Sequence, residues 1–234
     1  MLPVREKVIH TTVRIRFSKV GDLQYISHLD LHRTFCRLFV RAGVPVWYSE
    51  GYSPHPHLVF ATPLSVGAES LCEYLDVSIV GTPEEIDIPD IRARLADTGI
   101  AGLTVEDVYL PSTKFSSITD SDYRIEIVTS GADARLARAC EDVLCEAPLC
   151  TVKRTKSGER EVDISAQIRK VSVDFADGRI KIAARLCADS SSFLNPEYLV
   201  KILRERCGVL CGDPMCESYS ILRTAVYAGD KEFQ

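Results

Sequence analysis

The sequence predicts an α+β protein of two tandem domains, residues 1–112 and 113–234, and three observations carry that expectation. Apolar residues alternate between period two and helical spacing along the whole chain, so strands and helices are interleaved. The order strand, helix, strand, strand, helix, strand can be read before the Ser- and Thr-rich stretch Pro111 to Asp122 and loosely again after it. At 234 residues the chain exceeds one ordinary core, whereas two domains of about 100–120 residues each are of comfortable size.

In the first domain, Thr12 to Phe17 alternates Val13, Ile15 and Phe17 with Arg14 and Arg16, which predicts a half-buried strand with two arginines on its other face. Ser27 and Asp30 form a capping-box pattern, and Leu31, Phe35, Leu38, Phe39 and Ala42 recur at helical spacing until Gly43. Pro45 marks a turn into a strand around Val46 to Ser49, and further strands are expected at Leu58 to Ala61 and Tyr74 to Val80. Ile88, Ile91 and Leu95 supply a short helix ending at Gly99. Leu103 to Leu110 returns as a strand.

In the second domain, Tyr123 to Val128 reads as a strand and Ala134 to Leu144 as a helix. Strands near Leu149 to Lys153 and Val162 to Ile164 flank a turn at Lys156, Ser157 and Gly158. Val171 to Phe175 and Ile180 to Leu186 form a hairpin about the Ala176-Asp177-Gly178 turn. Pro196 opens a helix striped by Tyr198, Leu199, Ile202 and Leu203, and Ser218 to Tyr227 closes the domain. Each half thus matches a ferredoxin-like βαββαβ unit.

Composition narrows the function classes. Hydrophobic residues make up 46% and charged residues 26%, a globular profile. No 18-residue apolar run is present and Met1 to His10 lacks a signal-like apolar stretch, so a cytoplasmic protein with no membrane contact is expected. In that compartment the nine cysteines stay reduced. A net charge of −5 offers no global attraction for nucleic acid, so any such contact needs a local basic face.

The segment Phe17-Ser-Lys-Val-Gly-Asp-Leu-Gln-Tyr-Ile-Ser-His-Leu-Asp30, with Arg33, then Gly51-Tyr-Ser-Pro-His-Pro56 and Pro63-Leu-Ser-Val-Gly67, concentrates Gly, Pro, Ser and His. This block resembles the signature of the radical-SAM-linked bacterial proteins, a domain of unknown function, and weaker similarity continues through Lys156, Asp163 and Ile164. The resemblance implies a partner, a separate radical SAM enzyme. The chain lacks that enzyme's own cluster motif: after Cys207 and Cys211 the third position of C-x3-C-x2-C is Pro214, and Cys216 lies two residues too far. No metal and no cofactor are expected.

Walker, GxGxxG, GxSxG and HExxH motifs are absent, so hydrolase, kinase and dinucleotide-binding chemistries have no local support; that absence leaves catalysis by the chain itself open, with no activity of its own as the leading expectation. Asp30 reads as a cap, and Arg33, Arg37 and Arg41 recur every four residues on the helix face away from the apolar stripe. The candidate substrate-binding residues are Arg16, Lys19, His28, Arg33, Tyr52 and His55: cations and a helix N-terminus for phosphate, an aromatic and a histidine for stacking on a base. The expected role is an auxiliary protein that positions a substrate, RNA being the candidate. The alternatives are a cofactor-independent RNA-modifying or RNA-processing enzyme and a small-molecule or protein-interaction module. Lys153, Arg154 and Lys156, with Arg160, are expected at an exposed hairpin tip.

Overall fold

The computed structural model of the chain describes residues 8–97, 99–155 and 158–234. Among these residues are eleven strands and four α-helices. They fall into two compact units, one of Met1–Val66, Ser70–Lys114 and Gln234, the other of Gly67–Glu69 and Phe115–Phe233. The main changeover lies inside the Ser- and Thr-rich stretch.

The first unit contains β1 (His10–Lys19), α1 (His28–Arg41), β2 (Leu58–Phe60), all but the first two residues of β3 (Ala68–Val80), α2 (Ile88–Asp97) and β4 (Leu103–Tyr109). Its strands are ordered β4-β1-β3-β2, every pair antiparallel. Alternation on β1 sends Val13, Ile15 and Phe17 into the core beside Leu31, Phe35 and Leu38 of α1. The Phe17 and Phe35 rings meet edge to face, 4.7 Å between centroids. Arg14 therefore points to the opposite sheet face, yet it is buried there and bound to Asp76 and Thr113. The expected patch of arginines on that face is thus partly an internal ion pair.

Helix α1 begins as its sequence requires. The Asp30 N–H donates to Ser27 Oγ at 3.1 Å, and the Ser27 hydroxyl donates to Asp30 Oδ2 at 2.7 Å. The expected strand at Val46 to Ser49 is instead a loop tied by single bridges, Val46 to Ile79 and Tyr48 to Pro56. Pro45, Pro54 and Pro56 lack the N–H groups a continuous ladder needs. β3 starts earlier than expected, at Ala68, because Ser70 pairs with Lys19 across a bulge in β3, where Leu71 and Cys72 stand opposite Ser18 alone. Gly102 sits at φ +80°, and a Cβ there would lie 2.3 Å from the Val20 carbonyl oxygen. Only glycine permits the Val20 N–H to reach the Gly102 carbonyl at 2.8 Å.

The second unit contains β5 (Asp120–Val128), α3 (Ala134–Leu144), β6 (Cys150–Thr155), β7 (Gly158–Asp163), β8 (Ile168–Ala176), β9 (Arg179–Cys187), α4 (Glu197–Cys207), β10 (Ser218–Ala228) and β11 (Lys231–Glu232). Its sheet runs β10-β5-β9-β8, again antiparallel, with β11 on the edge of β10. Strands β6 and β7 form a separate hairpin. Tyr123, Ile125, Ile127, Ile180, Ile182 and Ile221 form the buried face of the sheet. Asp177 and Gly178 both take positive φ, 54° and 71°, the turn that matches the twist of the β8–β9 hairpin.

One expectation for this unit is corrected. Lys153 is half-buried, donates to Gln167 Oε1 at 3.2 Å and lies 5.2 Å from the Tyr198 ring centroid. Burial lowers its pKa. Arg160 is exposed, whereas Lys156 and Ser157 lie outside the described residues. Lys153 is therefore a packing residue of its unit and not part of an exposed tip.

Candidate functional site

On α1, His28, His32 and Cys36 recur every four residues and so line one flank of the helix. Phe60 of β2 stands beside that flank, its centroid 5.0 Å from the His28 ring and 6.4 Å from the His32 ring. The loop before β2 brings in His55. Its N–H donates to Ser49 Oγ at 3.2 Å, its Nδ1 lies 3.0 Å from the same hydroxyl, and the Ser49 N–H donates to its carbonyl at 2.9 Å.

These contacts bring three imidazoles within electrostatic reach. Burial, then the charges of His28 and His55, lower the pKa of His32. His32 Nδ1 is also 3.6 Å from Cys36 Sγ. A little farther along the helix, Cys36, Arg37, Val40, Arg41 and Tyr48 line an open, mainly apolar groove of about 440 Å³. Val40 is 71% exposed there, apart from the buried stripe of Leu31, Phe35, Leu38 and Phe39 on the same helix.

The six expected residues separate into groups. His28 and Lys19 share a narrow cleft with Ser27, Phe60 and Glu73, but its volume is only about 10 Å³, room for roughly one water. Lys19 is buried and its ammonium donates to the Leu23 carbonyl at 3.3 Å. His55 joins His28 through His32. Tyr52 is fully exposed at the tip of the same loop. Arg33 lies on the solvent side of α1, with Nη1 3.3 Å from Asp30 Oδ1. Arg16, next to Phe17 on β1, projects to the sheet face away from α1, near enough to Tyr109 to act on its phenol.

The sequence reading passed over His32 and Phe60. The i, i+4, i+8 recurrence of His28, His32 and Cys36 was the available signal, obscured by the more conspicuous arginine series beside it. Asp30 is held low, first by the Ser27 hydroxyl and then, against desolvation, by Arg33. It is a cap and not a base.

Among the described residues, no group of three His, Cys, Asp or Glu side chains is arranged to hold a metal ion. The thiols of Cys207, Cys211 and Cys216 go to separate partners, the Ala139 carbonyl, the Arg204 and Val209 carbonyls, and Asp213. No helix of the described residues is long and apolar enough to cross a membrane.

A family model described as an uncharacterized protein conserved in bacteria (DUF2344) matches residues 12–196, a span holding β1 to β9, α1 to α3 and the whole imidazole cluster. The chain belongs to this family. In this DUF2344 member the match covers all six expected site residues as well as His32, Cys36 and Phe60. No curated protein matches the chain. Among solved structures it is similar to that of a candidate glycine cleavage system transcriptional repressor, at 11% identity over 92% of this chain and 99% of that one. The TM-score is 0.22, too low for the two folds to be called alike.

Proposed function

We propose that this DUF2344 member is an auxiliary binding protein that holds a single-stranded RNA substrate for a separate radical SAM enzyme. The observation that supports the binding role is the convergence of exposed aromatic, imidazole and guanidinium groups along one flank of α1 and its facing loop. Tyr48 and Tyr52 offer ring faces to bases, while Arg37 and Arg41 offer charge to the backbone. The partner is inferred from the resemblance of residues 17–67 to the radical-SAM-linked proteins. We read both units as ferredoxin-like, because each repeats the strand order fourth-first-third-second within a βαββαβ core, the β6–β7 hairpin being an insertion.

A second reading, an RNA-processing enzyme without cofactor, draws support from His32. An imidazole with a lowered pKa stays neutral, and therefore basic, at neutral pH. One experiment separates the two. The purified protein is mixed with labelled single-stranded RNA; intact RNA with raised anisotropy supports presentation, and cleaved or altered RNA without a partner supports the enzyme.

Under the presentation reading an Arg37→Glu, Arg41→Glu double variant binds less tightly. Its log affinity falls with log salt by about 1.4 less than the wild type, near 0.7 for each lost phosphate contact. Affinity and salt slope unchanged in that variant would remove the helix flank from any RNA site.

A further inference from the structure

We propose that the outer sheet face of the second unit binds a phosphomonoester dianion, a site that shares no residue with the RNA reading. The face is built in cross-strand rows. Lys170, Arg185 and Asp122 lie in one row, and Ser172, Ala183 and Arg124 in the next. In the second row two small side chains sit between longer neighbours, so the sheet surface is hollow there. The hollow has a volume of about 240 Å³, with Arg124, Lys170 and Arg185 around it and Thr224 at one side. Typical small-molecule pockets run from about 300 Å³ upward, which suits this one to a compact ligand.

The charges are arranged for an anion. Asp122 is already committed: Arg185 donates to both its oxygens, at 2.7 and 2.8 Å, and the Tyr227 hydroxyl donates to it at 3.0 Å. Arg185 also lies over the Tyr227 ring, 3.8 Å from its centroid, so its guanidinium is fixed before any ligand arrives. Arg124 and Lys170 are exposed and have no hydrogen-bonded or ion-paired partner among the described residues. Of the neighbouring carboxylates, Glu126 is taken by Arg179 at 2.9 Å and Asp174 Oδ1 accepts from the Phe175 N–H at 2.9 Å.

Three cations and one carboxylate line the hollow, a net charge of +2 on a chain of net charge −5. A phosphomonoester carries about −1.5 to −2 at pH 7, whereas a backbone phosphodiester or a carboxylate carries one charge. The charge balance and the small volume together select a terminal phosphate on a small molecule.

The test titrates the full chain with inorganic phosphate, ribose 5-phosphate, dimethyl phosphate and acetate, following heat by calorimetry and stability by thermal shift. Inorganic phosphate and ribose 5-phosphate are expected to bind, at least about ten-fold more tightly than the two monoanions. Their affinity should drop between pH 7 and pH 5, as the second proton returns to phosphate near its pKa of about 6. Ala183→Leu fills the hollow on an exposed surface and should abolish binding, and Arg124→Gln should weaken it by about ten-fold or more. Circular dichroism checks that both variants fold. Equal binding of acetate or dimethyl phosphate, undiminished binding in Ala183→Leu, or no binding of either monoester up to about 10 mM would each overturn the proposal. RNA binding by the first unit is measured on the same Ala183→Leu protein, so that loss of one site is distinguishable from loss of the other.

Discussion

The Arg14 guanidinium meets both carboxylate oxygens of Asp76, Nε to Oδ1 at 2.7 Å and Nη2 to Oδ2 at 2.9 Å, on the sheet face of β1 turned away from α1. Nη1 reaches the Thr113 hydroxyl at 3.0 Å and the Gln234 carbonyl at 3.4 Å, so one side chain ties strands β1 and β3 to two segments distant in sequence. Removing one member of a buried pair leaves the other charge without compensation, at about 3–5 kcal/mol. Arg14→Met should therefore lower the unfolding free energy by that amount in urea titrations. Arg14→Met with Asp76→Leu should recover more than half of the loss, because two apolar side chains leave no stranded charge. A double variant as unstable as the single one would mean that Thr113 and Gln234, not Asp76, carry the interaction.

His32 supplies a titration. Its folded pKa lies below the ordinary value of about 6.5 through burial and then the charges of His28 and His55. The unfolded state then binds the proton more readily, so this group's contribution to stability is complete above about pH 6.5 and is lost as pH falls from there toward the folded pKa. In NMR titrations the midpoint of the His32 ring should lie below the ordinary histidine value, and His55→Ala should move it upward. A midpoint unmoved by that substitution would place His55 beyond electrostatic reach.

Asp122 governs part of the acid limb. Burial opposes its ionisation, but the hydrogen bonds from Arg185 and Tyr227, with the charges of Arg185 and Lys170, hold its pKa below the usual carboxylate value. A depressed folded pKa stabilises the protein above the unfolded pKa, near 3.9, and that contribution disappears as pH falls through the folded value. Asp122→Asn should be less stable than wild type at pH 7 and nearly equal to it at pH 2. A constant difference across that range would show that the loss is one of packing.

Cys140 tests the interior of the second unit. Burial first, then the neighbouring Cys207 thiol, push its pKa up to about 12. Only the thiolate reacts, so iodoacetamide at pH 8 should label exposed Cys145 and Cys216 and leave Cys140 unlabelled until denaturant is added. Native labelling of Cys140 at the rate of Cys145, read by peptide mass spectrometry, would contradict its burial between α3 and α4.

Much of the local architecture follows from the sequence by itself. The Ser27–Asp30 cap, the alternation of Val13, Ile15 and Phe17, the α1 stripe and the Asp177-Gly178 turn are interactions between residues a few positions apart, and their periodicity is written in the chain. The missed elements answer to distant partners. β3 is long because β1 lies beside Ser70, Val46 to Ser49 is a loop because Pro45 before it and Pro54 and Pro56 opposite it cannot extend a ladder, and Lys153 is half-buried because Gln167 and Tyr198 come to it.

The same division applies to the sites. The sequence singled out His28 and His55 as separate candidates, but only the tertiary structure joined them through His32 and Phe60 and sent Arg16 to the other side of the sheet. Likewise, nothing in the order of Arg124, Lys170, Ala183 and Arg185 marks a hollow until register sets them in adjoining rows. Backbone propensity and side-chain period act over one turn or one strand, whereas a site depends on which strands become neighbours. That choice is made by burying apolar faces collectively, and no short window of sequence contains it.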